Sequence, residues 1–450
     1  MTTAGEQRTL LGLIATKLGA MVFVFMAGVV AARTLGAGGK GEVDVALGLF
    51  ALLLLLAPSI EEPQLILLAK EPAAAGRLAV NGLVLALGFG LLVLAVWWCV
   101  LGSGSGVVTL FMPRSGAQAA PPELVWLMLT APFEILSRLL AGVLQGRRRM
   151  RSFMLVVLIR HAVVLSAMLL LVLGFELGVT GAVQAWALGA LSAAASAAWF
   201  VFRDTELRAN GLRCDLRLMR AQIGGGLRAQ GAVVAVAVIL NGDQLILWHF
   251  HGAAAVGIYA LAAAITGQLR RLMVQPVKEL LGSQVQQTAH DKEVLADAIT
   301  RGVRRVLVLL LPPSLLLALV IWPALLLVYG EAFLSAAEPV WVLLPGGLFW
   351  AVAVVLSWWF MGQNRFGVLT LAALGIAALN VLLNVLFIPA HGALAAAWTS
   401  TLCYALHALL FACAFISGSK RGAGTLWPTA HEFRALWTKP FAAVFGRAAN

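Results

Sequence analysis

LNGDQLILWHFHGAAAVGIYALA, residues 240–262, sets one aspartate, Asp243, in an apolar run and follows it with a Gly-x4-Gly pair, Gly252 and Gly257. A carboxylate inside a hydrocarbon layer is costly, so a chain that keeps one has a partner or a use for it. The glycine spacing also occurs upstream. Gly36 and Gly41 stand in ARTLGAGGKGEVDVAL (32–47), each 216 residues before its counterpart. A tight helix–helix turn needs a residue that accepts positive φ, and close backbone approach needs one without a Cβ. The glycines are therefore structural. They mark equivalent turns in a chain that repeats itself.

The surrounding composition says what is repeated. Of 450 residues, 61% are hydrophobic and 12% charged; soluble domains run nearer half and a quarter. Apolar runs long enough to cross a bilayer recur from end to end, about twelve spans in order over roughly 9–32, 43–69, 76–101, 121–146, 152–174, 179–202, 225–250, 253–275, 303–329, 337–361, 366–388 and 391–417. The first, Leu10 to Ala32, exceeds a signal-peptide core and carries Lys17. The basic residues concentrate in alternate loops: Arg147–Arg149 with Arg151, the 203–228 stretch, the 270–305 stretch, and Lys420 with Arg421. That bias orients the chain with both termini cytoplasmic. The net charge of +12 then follows from topology and calls for no nucleic-acid partner.

Further matches support the repeat. LQGRRR (144–149) leaves one span and FMGQNR (360–365) another, with Gly146 and Gly362 again 216 residues apart; Gly178 and Gly392 each open a later span. The expected fold class is all-α: a polytopic membrane protein of about 12 helices in two six-helix lobes related by a parallel internal repeat. The expected division is residues 1–202 for the first lobe, 203–224 for a basic linker, 225–417 for the second lobe and 418–450 for a basic tail. The linker reads either as a membrane-surface helix or as a solvated strap.

Several chemistries are disfavoured. Cys99, Cys214, Cys403 and Cys413 have no metal-ligand spacing, and His249 and His251 lack a third ligand. No phosphate-binding Gly-Lys loop, HExxH or nucleophile motif occurs. The outer loops are short and nearly uncharged, which disfavours a glycan polymerase or ligase. No enzyme activity and no cofactor are expected.

Five stretches in order carry a family resemblance: residues 32–47 and 240–262 above, LLAGVLQGRRRMRSFML (139–155), VYGEAFLSAAEPVWVLLPG (328–346) and NVLFIPAHGALAAAWTSTL (384–402). Together they resemble the oligosaccharide/polysaccharide flippase family of the multidrug/oligosaccharidyl-lipid/polysaccharide exporter superfamily. The resemblance implies two lobes around a central cavity. It implies export of a lipid-linked oligosaccharide on a polyprenyl pyrophosphate across the bacterial inner membrane by alternating access. Implied partners are that substrate, membrane lipids and polysaccharide polymerase or export machinery. The chain has fewer helices than the 14-helix lipid II flippases. A multidrug or metabolite/cation antiporter of the same superfamily is the alternative, although it calls for an acidic cavity.

Two sets of intramembrane polar residues are candidates for the work. Lys17, Glu61, Arg138 and Arg160 fall at one depth in the first lobe, roughly 12 Å from the cytoplasmic end, with Glu134 one turn from Arg138. Arginine gives bidentate contacts to phosphate and lysine a point charge. The set reads either as a substrate site for the pyrophosphate or as an ion-pair network joining helices. Arg270, near the inner end of span 8, is a further substrate candidate or an interface anchor. In the second lobe Asp243, Asn380 and Thr399 share a depth nearer the outside. Their oxygens suit Na⁺, and Asp243 alone suits a proton; an interhelical hydrogen-bond cluster is the other reading. Asn241, Asn384 and Ser400 are second choices.

Overall fold

The computed structural model describes the backbone of residues 4–101, 123–206, 211–288 and 291–438. All regular structure among these residues is helical. Helix is what a membrane-spanning segment must form, because hydrocarbon offers backbone N–H and C=O groups no other partner. The main helices are α1 (Ala4–Leu53), α2 (Glu61–Lys70), α3 (Ala75–Leu101), α4 (Leu124–Leu129), α5 (Ala131–Gly146) and α6 (Met150–Met168). They continue with α7 (Gly178–Arg203), α8 (Leu216–Thr288), α9 (Lys292–Val328), α10 (Ala337–Gly362), α11 (Phe366–Ser419) and α12 (Ala430–Thr438).

Eight helical stretches among the described residues are long and apolar enough to cross a membrane. Three of them are too long for one crossing. The shortest of the three full helices, α1, has 50 residues, about 75 Å against a core of about 30 Å. Each is broken at a glycine in the left-handed region: Gly36 at φ 64° in α1, Gly252 at φ 77° in α8 and Gly392 at φ 58° in α11. Halving these three and adding the α4–α5 pair gives the twelve traverses expected from hydropathy.

The backbone carries the repeat. Positive φ pairs Gly36 with Gly252, Arg148 (56°) with Asn364 (59°), and Gly178 (59°) with Gly392. The second glycines of the Gly-x4-Gly pairs have a separate task. A Cβ at Gly41 would stand 1.7 Å from the Ala253 carbonyl oxygen, and one at Gly257 would stand 2.1 Å from that of Ala37. Each turn thus rests on the residue that follows the kink of the other. We expect Gly41→Ala to lower the detergent melting temperature and the folded yield sharply, by a destabilisation of about 2 kcal/mol or more. Gly38→Ala in the same turn, where a Cβ meets nothing within 4 Å, should behave as wild type. Equal melting temperatures would overturn this account.

Residues 1–234 with 248–257 form one compact unit, and residues 235–247 with 258–450 form the other. The first is cored by Leu78, Leu140, Val143, Leu144 and Ala197. The second is cored by Ile299, Val306, Leu356 and Phe415, with a smaller cluster around Ile239 and Cys403.

Where the linker enters α8 it is bonded to α2 and α3. Asp215 caps α8, its Oδ1 accepting from the Arg217 and Leu218 amides at 3.0 and 3.2 Å. Its backbone exchanges two hydrogen bonds with the Asn81 side chain, and Arg77 donates to its carboxylate at 2.8 Å. About two turns further on, Gln222 donates to Gln64 at 3.1 Å, and Gln64 donates to the Leu139 carbonyl at 2.7 Å. Gln64, Asn81 and Gln222 are all fully buried. Satisfied buried amides of this kind fix one register of helix against helix.

Candidate functional site

In the first unit the chain interrupts span 4 at Thr130, whose amide and hydroxyl both donate to the Leu127 carbonyl. Pro132 then sits in the first turn of α5, where its missing N–H costs nothing. This sets Glu134 in the opening turn of α5 facing inward, with 5% of its side chain exposed. Its Oε1 accepts from Arg138 Nε at 3.2 Å and from Arg160 of α6 at 3.0 Å, and its Oε2 also lies 3.0 Å from Arg160. Two arginines therefore share one carboxylate, leaving the cluster one positive charge in excess. Arg160 keeps 26% of its side chain exposed and Arg138 47%. The three line a cavity of about 210 Å³ whose other walls include Phe50 and Leu54 of span 2 and Trp186 of α7.

The other first-lobe candidates lie elsewhere. Glu61 opens α2 and is not among the residues that line this cavity. The Lys17 side chain lies outside the described residues. One buried pair is newly apparent: Lys40 is 8% exposed and bonds Asp44 at 2.6 Å along the same helix. Its i,i+4 spacing was visible in the sequence.

In the second unit Asp243 is 2% exposed. Its Oδ2 accepts from the Tyr259 hydroxyl and, at 3.1 Å, from Ser400 Oγ. Asn380 accepts from Asn384 Nδ2 at 3.1 Å, and Thr399 donates to Asn384 Oδ1. The expected trio thus resolves into two clusters, Asp243–Tyr259–Ser400 and Asn380–Asn384–Thr399, adjoining through the sequence neighbours Thr399 and Ser400. Asn380 Nδ2 is buried with no hydrogen-bond partner. Sequence reasoning passed over Tyr259; its signal was its place beyond the Gly252 kink, on the segment that follows the helix of Asp243. No cluster of three or more His, Cys, Asp or Glu suited to a metal occurs among the described residues.

Arg270 stacks 5.4 Å over Trp350 and 6.0 Å from the Tyr404 ring. An arginine held on aromatic faces keeps its in-plane donors for another ligand. Chemically, the first unit offers a cationic cavity for an anion, and the second offers a buried carboxylate held by two hydroxyls and the Gln244 amide, able to take a proton or a small cation.

Comparison with known proteins bears on this arrangement. A family model described as "Polysaccharide biosynthesis protein" matches residues 95–338. A search of curated proteins finds no match. Among solved structures, the lipid II flippase MurJ in an inward closed conformation is similar, at TM-score 0.73 and 11% identity over 95% of this chain and 93% of that one. A multidrug resistance MATE family transporter of the MOP superfamily, in an inward-facing conformation, is similar at TM-score 0.70 and 15% identity over 90% and 95%. A MOP superfamily transporter from Pyrococcus furiosus, described by its binding pocket of reverse polarity, gives TM-score 0.63 and 14% identity over 92% and 96%.

Proposed function

The chain belongs to the polysaccharide biosynthesis protein family and has the fold of the MOP superfamily, and from that premise we propose that it flips a polyprenyl-pyrophosphate-linked oligosaccharide, the repeat unit of a polysaccharide, across the bacterial inner membrane. The observation that carries this reading is the pair Arg138 and Arg160 on the single carboxylate of Glu134, inside a cavity of a membrane-spanning unit. The excess positive charge matches a diphosphate, and Glu134 keeps the cations paired while the cavity is empty. Arg270, held on Trp350 and Tyr404 within the second unit, is a separate candidate for substrate contact. Transport proceeds by alternating access with no bond made or broken. Asp243, with Asn380 and Thr399 beside it, carries the coupling ion, Na⁺ or H⁺. Both termini face the cytoplasm, and polymerase or export machinery receives the product.

The buried Asp243, with no basic group bonded to it, favours one other reading, a cation-coupled antiporter of drugs or metabolites. A strain deleted for its own flippase separates the two. Expression of this chain is expected to restore surface polysaccharide and to clear the lipid-linked intermediate trapped inside. Failure to restore export, together with raised resistance to cationic drugs, would overturn the flippase reading in favour of the antiporter.

A further inference from the structure

Span 2 is interrupted in mid-membrane. After α1 ends at Leu53, a single 3-10 turn runs over Leu54–Leu56, and helix resumes only at Glu61. Pro58 lies inside the gap and has no N–H to give. In hydrocarbon such a gap needs partners for its backbone groups. One side chain supplies them. Gln230 of α8 accepts at Oε1 from the Ser59 amide (2.9 Å) and the Ser59 hydroxyl (3.0 Å), and donates from Nε2 to the Leu55 carbonyl at 2.5 Å and the Ala57 carbonyl at 3.4 Å.

Ser59 N–H and Leu55 C=O are an i→i−4 pair, the two groups that would bond each other in an unbroken helix. The Gln230 carboxamide is inserted between them, one face to each. Insertion of a side chain into the ladder is a recognised cause of a sharp helix kink. Withdrawal of Gln230 lets Ser59 N–H pair with the Leu55 carbonyl directly, in a helix that stays kinked because Pro58 has no N–H for the Leu54 carbonyl. Each arrangement gives Ser59 N–H and Leu55 C=O a partner, as a two-state element requires.

The local sequence suits movement here. Gly224, Gly225 and Gly226 precede Gln230 on α8, and helix is weakest where glycines cluster. They also allow close approach: a Cβ at Gly225 would fall 2.7 Å from Pro63 Cβ, and one at Gly226 would fall 2.9 Å from Pro58 Cβ. Leu54, adjacent to the clamped Leu55 carbonyl, lines the Glu134–Arg138–Arg160 cavity. We propose that Gln230 is a positioning residue that holds span 2 open at Leu55–Ser59, and that this clamp releases and re-forms in each transport cycle, reshaping the cavity wall at Leu54.

The test uses the full chain with its four cysteines replaced and Ser59→Cys and Gln230→Cys introduced. The export readout rests on the transport reading. Joining the pair with a short bifunctional methanethiosulfonate in membranes is expected to cut export at least tenfold, with recovery on reduction. Export by the linked protein at the unlinked rate would sink the proposal. A second measurement stands apart from any substrate: hydrogen exchange over residues 54–60 in Gln230→Leu. A two-state break lets Ser59 pair with Leu55, and the Ser59 amide keeps its protection within about twofold. A static joint loses its partner, and exchange rising tenfold or more would overturn the clamp whether or not the protein proves to be a flippase.

Discussion

Asp243→Asn is expected to leave a folded protein that no longer couples transport to an ion gradient. Asparagine keeps a carbonyl oxygen where Asp243 Oδ2 accepts from Tyr259 and Ser400, so the hydroxyls of spans 8 and 12 retain an acceptor and the helices their register. What is lost is the charge. One elementary charge moving through 100 mV supplies about 2.3 kcal/mol, or roughly 50-fold of concentrative drive at 1.36 kcal/mol per decade. In proteoliposomes the variant should equilibrate substrate without accumulating it, and should lose whichever dependence, on Na⁺ or on pH, the wild type displays. Asp243→Leu is the contrasting control. It removes the acceptor as well as the charge and leaves the Tyr259 and Ser400 hydroxyls only each other, 3.5 Å apart; an unsatisfied buried donor costs about 1–3 kcal/mol, so it should lower the melting temperature where Asp243→Asn does not. Undiminished accumulation by Asp243→Asn would remove this residue from the coupling mechanism.

The second large effect is expected at Arg138. Its guanidinium meets Glu134 through Nε alone at 3.2 Å, and nearly half of the side chain remains exposed. A hydrogen bond to a charged group contributes about 1.5–3 kcal/mol, so Arg138→Ala should weaken binding of a polyprenyl pyrophosphate by about 10- to 100-fold. Arg138→Lys should recover part of this, since a point charge lacks the planar fork that meets two phosphate oxygens. Arg160→Ala should act differently. Arg160 contacts both oxygens of Glu134, and losing it leaves a buried carboxylate with one partner, so folded yield should fall before affinity does. Direct binding measured by native mass spectrometry, beside thermal stability, separates the two. Equal losses of yield at both positions, with affinity unchanged, would reduce the cluster to an ion-pair network.

The bonds that set these two arginines apart come from the tertiary structure. Both lie in apolar spans at one depth, and sequence places them together only by counting from the span ends. Glu134 was found because it stands one turn from Arg138. Its second bond crosses from α5 to α6, and no local pattern encodes that approach. Asp243 was conspicuous as a lone carboxylate in an apolar run, whereas Tyr259, its donor, looks like any aromatic in a span. Gln230 was less visible still, because a neutral amide in span 7 carries no signal until the gap in span 2 is seen beside it.

Composition and periodicity by themselves determined that this chain is an all-helical membrane protein with about twelve traverses, and spacing alone revealed the repeat. These are properties of segments and of the solvent around them: span length answers to bilayer thickness, charge bias to insertion, and glycine to backbone angles that other residues avoid. Only the tertiary structure decided which polar groups meet. In a low-dielectric interior a carboxylate or amide is defined by the few atoms within about 3 Å, and those atoms come from other helices. That is why Arg138 and Arg160 converge on one carboxylate, why Asp243 answers to Tyr259 and Ser400, and why the backbone groups at the break in span 2 are satisfied by a side chain 171 residues away.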